Sequence, residues 1–320
     1  MLYTRRDLGK LALVAMPATL RAKPDSKWGG VQVGINVPYS FHGMPGDAES
    51  VEKDVTELGL SAVELRSQPV EAFFGCPIST DLGGAPRSRT PLTPEEIAAR
   101  KTAAEEKAAA IEKWRLAAPM DQFKKFRKKY EDAGIAIQIV KFDGIDKMKD
   151  EVVDYAFNLA KTLGARAISC EIPLSKTPWL GEFATKHKMM VGYHGHTNIH
   201  SPEAFGAPQS WEKAMTYSKY NGINLDIGHF VAGNNTSPIP FMKAHADRIT
   251  HIHVKDKKMN NGPAVPFGEG DTPIKEVLQL MQKEKYPFQA TIEFEYRVPQ
   301  GSTVMQEITK CVAYCKQCLV

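Results

Sequence analysis

Short apolar runs rich in Val and Ile alternate along the chain with segments whose apolar residues recur at helical spacing. Eight such runs stand out: Val31 to Pro38, Ala62 to Leu65, Ile135 to Lys141, Ala165 to Ile172, Met189 to His196, Ile223 to His229, Ile249 to Lys255 and Ala290 to Tyr296. Helical periodicity marks Ala48 to Leu58, Met148 to Leu163, Ser210 to Tyr220 and Pro273 to Glu284. Strands followed by helices in this rhythm predict a parallel sheet built from repeated βα units. Eight units in a chain of 320 residues predict an α/β fold, a single closed (β/α)8 TIM barrel over residues 23–320. A doubly wound open sheet is the competing architecture. It fits less well, because Asn36-Val37-Pro38-Tyr39 stands where a Gly-rich nucleotide loop would follow the first strand.

Two stretches break the rhythm. Cys76 to Pro94 is dense in Gly, Pro, Ser and Thr, and is followed by an Ala/Glu/Lys-rich helix from Glu95 to Leu116, then Pro119 and a second helix starting near Asp121. This predicts a helical insertion at about 76–120 between the second and third strands, on the face where barrel active sites are built. It is either a lid that brings Arg87 and Arg89 to a substrate or a surface loop packed by its own helix. At the other exception, Arg5 and Arg6 precede an apolar stretch, Leu11 to Leu20, too short to span a bilayer. Residues 1–22 therefore read as a twin-arginine signal segment, which predicts a periplasmic or otherwise exported protein. The cleavage site is not placed, because Leu20-Arg21-Ala22 has no small residue two before its end.

Charge narrows the partners. The formal net charge is +4, with Lys and Arg interspersed among Asp and Glu, so neither nucleic acid nor a membrane surface is implied. The five cysteines lack the spacing of a disulfide framework. Cys311, Cys315 and Cys318 fall at i, i+4 and i+7 of a terminal helical pattern, which predicts one buried helix face rather than an iron–sulfur loop.

The chemistry gathers at the carboxyl ends of the fourth to eighth strands. They end in Cys170-Glu171-Ile172-Pro173, Tyr193-His194-Gly195-His196, Leu225-Asp226-Ile227-Gly228-His229, His251-Ile252-His253-Val254-Lys255-Asp256 and Glu293-Phe294-Glu295-Tyr296. Period-two alternation puts His194 with His196, His251 with His253, and Glu293 with Glu295 on shared sides. If those sides face the barrel axis, His194, Asp226, His253 and Glu293 converge, with Glu171 joining from the neighbouring strand. Burying so many ionisable groups without a counter-ion is costly. These five are thus the expected ligands of a divalent cation, and mixed imidazole and carboxylate donors suit Mn, Zn, Co, Ni or Fe better than Ca. Cys170 alternates away from Glu171, so a thiolate-rich structural zinc site is not expected.

The chain resembles the sugar phosphate isomerase/epimerase-like proteins of the xylose isomerase-like TIM-barrel superfamily, in their exported, twin-arginine-tagged branch. The resemblance is carried by Val63-Glu64-Leu65-Arg66-Ser67, Ala85-Pro86, Pro91-Leu92-Thr93-Pro94-Glu95-Glu96, Lys113-Trp114-Arg115, Gly192-Tyr193-His194-Gly195-His196, Asn221 to His229, His251 to Asp256 and Gly268 to Pro273. It implies a metal held by Glu, Asp, His and Glu from the last four strands, with the two glutamates also moving the substrate proton. Asp226, His253 and Glu293 match three of these, with Glu295 a rival for the last. His194 takes the place of the remaining Glu, 32 positions before Asp226. Glu171, one strand earlier, is then the candidate for the lost function, leaving His194 as a ligand and His196, His229 or Lys255 as acid/base or oxyanion partners.

The chemistry this implies is metal-assisted proton abstraction next to a carbonyl, with Glu171, Glu293, His196 and Lys255 as catalytic candidates. Reprotonation of the intermediate gives isomerisation or epimerisation, whereas loss of a β-leaving group from a 3-keto-glycoside gives elimination. Export points to a non-phosphorylated sugar or keto-sugar. A non-catalytic carbohydrate-binding barrel is the contrasting expectation, with Tyr39, Phe41, Trp179 and Tyr193 as rim aromatics. A small carbohydrate is the expected partner, and a homo-oligomer is left open.

Overall fold

The computed structural model describes residues 23–81 and 93–320. Residues 1–22, read from the sequence as an export signal, and Arg87 and Arg89 lie outside the described residues. Eight parallel strands close into a barrel: β1 Val31–Val37, β2 Ala62–Arg66, β3 Ala136–Lys141, β4 Ala167–Cys170, β5 Met190–His194, β6 Asn221–Asp226, β7 Ile249–Val254 and β8 Gln289–Ile292. Each pairs with the next, and β1 pairs with β8 through Val33–Ala290, Gly34–Thr291 and Ile35–Ile292. Closure leaves no sheet edge inside the ring. A two-residue strand, Lys27–Trp28, runs antiparallel to the start of β1 and was not expected from the sequence.

The strands read as continuous apolar runs because both faces are covered. All positions of β2, β4, β6 and β7 are buried. Helices α1 Ala48–Glu57, α2 Ser67–Phe73, α3 Pro94–Ala117, α4 Met120–Asp132, α5 Asp150–Thr162, α6 Thr177–His187, α7 Pro208–Met215, α8 Ile227–Asn234, α9 Ile239–Ala244, α10 Ile274–Glu284 and α11 Val304–Leu319 supply the outer layer. Cys311, Cys315 and Cys318 lie on the buried face of α11, and their thiols are free. No helix among the described residues is long and apolar enough to cross a membrane.

Strand ends differ from the sequence reading in a systematic way. The runs expected to continue to Ile172, His196, His229 and Tyr296 leave the ladder at Cys170, His194, Asp226 and Ile292. Of the residues beyond these points, His196 N–H donates to Phe205 O in the following loop, Phe294 N–H to Ser40 Oγ, and Glu293 N–H still to Val254 O of β7, at 2.8, 3.2 and 3.1 Å. At β6 the change is abrupt: Asp226 ends the strand and caps α8, its side chain accepting from the N–H of His229 at 2.7 Å. Gly228 permits this junction, because a Cβ there would meet the Lys255 carbonyl oxygen at 2.6 Å.

Helix α3 of the insertion opens with a capping box, in which Thr93 accepts from Glu96 N–H and the Glu96 side chain accepts from Thr93 N–H. Most of α3 is exposed, and it docks near its C-terminus. There Arg115 forms two hydrogen bonds to the fully buried Glu71 of α2, at 2.7 and 3.1 Å, and Trp114 sets its ring edge-on to Phe123 and Tyr155. Tyr155 and Ser67 hydroxyls complete the Glu71 carboxylate at 3.2 and 3.0 Å.

Candidate metal centre

Four of the expected ligands meet at the carboxyl end of the barrel. His194 ends β5, Asp226 ends β6, His253 lies in β7 and Glu293 follows β8 immediately. All four are buried, and one donor atom from each lies within 4.8 Å of the other three. The Nδ1 of His253 is 3.0 Å from Glu293 Oε2, 3.1 Å from His194 Nε2 and 3.8 Å from Asp226 Oδ2. His194 Nε2 in turn lies 3.6 Å from Asp226 Oδ2 and 3.8 Å from Glu293 Oε2. Two imidazole nitrogens and two carboxylate oxygens thus aim at one point.

The residues fit a divalent cation. Asp226 Oδ1 is committed to the α8 cap, whereas Oδ2 makes no hydrogen bond and faces both imidazoles, with the Lys255 ammonium 2.9 Å away. Two buried carboxylates and two imidazoles at this spacing are a donor set that a divalent cation would fit. Each imidazole also has a carboxylate on its far nitrogen: Glu171 Oε1 lies 3.2 Å from His194 Nδ1, and Glu64 Oε2 lies 2.5 Å from His253 Nε2. This is the arrangement that orients metal-binding histidines. The nitrogen and oxygen donors favour Zn, Mn, Fe, Co or Ni, in keeping with the sequence reading.

Glu171 stands apart from the four. It is half-exposed at the barrel mouth, where it also meets His196 Nε2 at 3.1 Å and the ammonium of Lys141 at 2.5 Å. Burial opposes its ionisation, but hydrogen bonds from His194 and His196 and the Lys141 charge hold it well below the usual carboxylate range. Glu171 therefore sits behind His194 rather than beside it as a fifth ligand of the same point. Glu295, the rival of Glu293, lies 2.7 Å from Lys255 and accepts from the Tyr39 hydroxyl at 2.7 Å. Glu293 is the more enclosed of the two, with its other oxygen accepting from Asn36 at 2.8 Å.

Lys255 lies between the carboxylates, 2.9 Å from Asp226 Oδ2 and 2.7 Å from Glu293 Oε2. Burial disfavours its charge, but Asp226, Glu293 and Glu295 overcome this and hold it well above the usual lysine value. His229 is the opposite case. Burial, reinforced by Lys255 and His194, pushes its imidazole down to about 3, so it is neutral at pH 7. Both its ring nitrogens are buried without hydrogen-bond partners.

Four participants escaped the sequence reading: Asn36, Glu64, Lys141 and Asn224, all buried and on barrel strands. The available signal was a polar or charged residue inside a run that otherwise reads as buried strand, as in Ala62-Val63-Glu64-Leu65. Of the four rim aromatics, Tyr39 reaches the site, Phe41 and Tyr193 are core residues, and Trp179 packs on Phe183.

Cation affinity should depend on pH. Burial opposes protonation of His253, but Glu293 and Glu64 outweigh it and raise its pKa to about 10. Below that value a cation must displace one proton from Nδ1, so affinity increases as pH rises. Zinc titrations of the metal-free protein from pH 6 to 8 should show about a tenfold gain per pH unit from this group. Calorimetry in buffers of different ionisation enthalpy should register the released proton, and a pH-independent affinity would contradict the assignment of His253.

The sequence profile described as xylose isomerase-like TIM barrel matches residues 54–311. Among curated proteins, an inosose dehydratase from Lactiplantibacillus plantarum is 26% identical over 159 residues, which is 44% of this chain and 51% of that protein. The chain thus matches about half the length of this relative. Among solved structures, the 3-keto-D-glucoside 4-epimerase YcjR from E. coli superposes with a TM-score of 0.58 at 8% identity, covering 90% of this chain and 100% of that one. The zinc-bound IolI protein gives a TM-score of 0.58 at 12% identity, covering 90% and 98%. A probable 3-DHS dehydratase from Bacillus anthracis gives 0.59 at 12% identity, covering 89% and 99%.

Proposed function

The chain belongs to the xylose isomerase-like TIM barrel family, and from that premise we propose that it is a divalent-metal-dependent isomerase or epimerase acting on a non-phosphorylated sugar or keto-sugar. The observation that carries this reading is the convergence of His194, Asp226, His253 and Glu293 within 4.8 Å, beside a buried ammonium and below an accessible carboxylate–imidazole pair. A divalent cation held by these four would polarise the carbonyl of the substrate and acidify the adjacent C–H. Lys255, fixed among three carboxylates, offers a preorganised positive charge to the oxygen on which negative charge develops.

Proton transfer needs a group that reaches substrate. His196 is half-exposed at the mouth, and Glu171 Oε2, 3.1 Å from its Nε2, orients the ring. Glu295, on β8's side of the mouth, is partly accessible and is held by Tyr39 and Lys255. Donors on two sides suit removal of a proton from one face of a carbon and return to the other. A non-phosphorylated substrate suits the pairing of three cations near the mouth, Arg66 with Asp143, Lys141 with Glu171 and Lys255 with its three carboxylates, whereas Lys257 beside them makes no ion pair among the described residues. Reading residues 1–22 as an export signal agrees with this.

A second reading, β-elimination from 3-keto-glycosides, draws on the curated relative being named a dehydratase. The first proton transfer would be the same, with His196 then protonating the departing oxygen. Proton NMR in deuterated water separates the outcomes for the zinc- or manganese-loaded protein given free sugars, keto-sugars and 3-keto-glycosides. Deuterium in a retained skeleton supports isomerisation or epimerisation, and release of the aglycone with an unsaturated sugar supports elimination. No change across the panel would overturn both in favour of a binding barrel. His196→Gln should reduce turnover by about 10²- to 10⁴-fold while leaving the metal content intact, since His196 is not one of the four ligands.

A further inference from the structure

The segment Val63-Glu64-Leu65-Arg66-Ser67 contains a carboxylate that the proposed chemistry does not use. Glu64 lies in β2 with its side chain wholly buried. One oxygen, Oε2, is 2.5 Å from His253 Nε2 and 3.1 Å from His251 Nε2. The other, Oε1, is buried without a hydrogen-bond partner. An ionised carboxylate with an unused oxygen is an expensive occupant of a barrel core, where an apolar side chain would pack without that cost.

We propose that Glu64 is a positioning residue for the metal centre: it fixes the His253 ring and its tautomer so that the Nδ1 lone pair is presented to the cation. The inference rests on the metal-centre reading above. An imidazole carries its single neutral-form hydrogen on one nitrogen or the other, and the partner of the far nitrogen decides which. Glu64 is an acceptor only, so it draws the hydrogen to Nε2 and leaves Nδ1 free to meet His194, Asp226 and Glu293. Asn224 Nδ2 also approaches His253 Nε2, at 3.2 Å, but it donates to Ser169 Oγ at 3.0 Å and cannot accept a hydrogen from the ring.

His251 makes the hold rigid. It is two residues before His253 on β7, so both rings point to the same side and share one Glu64 oxygen. On its other side, Thr250 Oγ1 lies 2.9 Å from His251 Nδ1 while its hydroxyl donates to the Ile223 carbonyl oxygen at 3.0 Å, so the ring is held from both ends. Glu64 is thus within hydrogen-bond reach of two imidazoles of one strand, and β2 is tied to β7 across the barrel interior. This places a charge on the cation's side of the barrel without occupying a coordination position.

The test is titration of the metal-free wild type, Glu64→Gln and Glu64→Leu with zinc and with cobalt(II), read by calorimetry and by the cobalt absorption spectrum. Gln keeps the shape and an acceptor oxygen but removes the charge, whereas Leu removes both. Zinc affinity should fall by about 10- to 100-fold in Glu64→Gln and further in Glu64→Leu, with a changed cobalt spectrum. Near-UV circular dichroism of metal-free Glu64→Gln should match the wild type, which separates positioning from loss of fold. A folded Glu64→Gln protein with wild-type affinity and cobalt spectrum would overturn this inference alone. Failure of the wild type to bind either metal would overturn the metal-centre reading itself.

Discussion

Asp226→Asn is expected to leave the protein folded while removing its cation and its turnover. The two oxygens of Asp226 have separate tasks, since Oδ1 caps α8 at the His229 N–H and Oδ2 faces the imidazoles and the Lys255 ammonium at 2.9 Å. Asn caps a helix about as well as Asp, so the change at the helix terminus should cost no more than a few tenths of a kcal/mol. At the other position an amide –NH₂ replaces a carboxylate oxygen and presents hydrogens where a cation would lie. Loss of a direct ligand should exceed the 10- to 100-fold effect typical of outer-shell changes, so metal affinity should fall by more than about 100-fold. Asp226→Ala provides the contrast: it should lose the metal equally and about 1 kcal/mol of stability besides, because the cap goes too. Metal analysis after dialysis, with urea unfolding of the metal-free forms, checks both. Stoichiometric metal in Asp226→Asn would refute the ligand assignment.

The barrel was legible because its strands are buried on two sides and therefore stand out as apolar runs of Val and Ile between helical segments. Their ends were harder to read. Hydrophobic pattern does not distinguish a residue in the ladder from one just beyond it, and functional side chains occupy that boundary. Alternation grouped His194 with His196, and both rings do meet Glu171, but the strand ends at His194 and His196 lies in the loop at the half-exposed mouth. Alternation held likewise for His251 and His253, which both lie within β7.

Glu171 illustrates a different limit. Its strand-end position marked it as a candidate ligand, yet its actual place depends on Lys141, a residue on an adjacent strand that nothing in the local pattern linked to it. Glu64 and Asn36 were missed for a related reason. They sit inside the first two strands, far along the sequence from the segment where the ligands cluster, and become neighbours of His253 and Glu293 only when the barrel closes. Partners across a closed ring are set by strand order and register, neither of which a single-sequence hydrophobic pattern encodes.

Arg115→Met should be the most destabilising single change in the described part of the insertion, and it decides whether α3 matters to catalysis. Arg115 is the buried anchor of an otherwise exposed helix, and its partner Glu71 has no exposure. Removing the guanidinium leaves a buried carboxylate with only the Tyr155 and Ser67 hydroxyls. Breaking a buried pair in this way costs about 3–5 kcal/mol. The double replacement Glu71→Leu with Arg115→Met removes the stranded charge as well, so it should recover much of the loss; urea unfolding of the four members of the cycle measures this. A single mutant as stable as the wild type would show that the pair contributes nothing. Catalytic constants of the same proteins address the insertion. If α3 carries a lid, undocking it should raise KM or lower kcat at temperatures where the barrel remains folded. If α3 only packs its own loop, stability should fall while kcat and KM stay unchanged, because no described residue of the insertion contributes to the metal cluster.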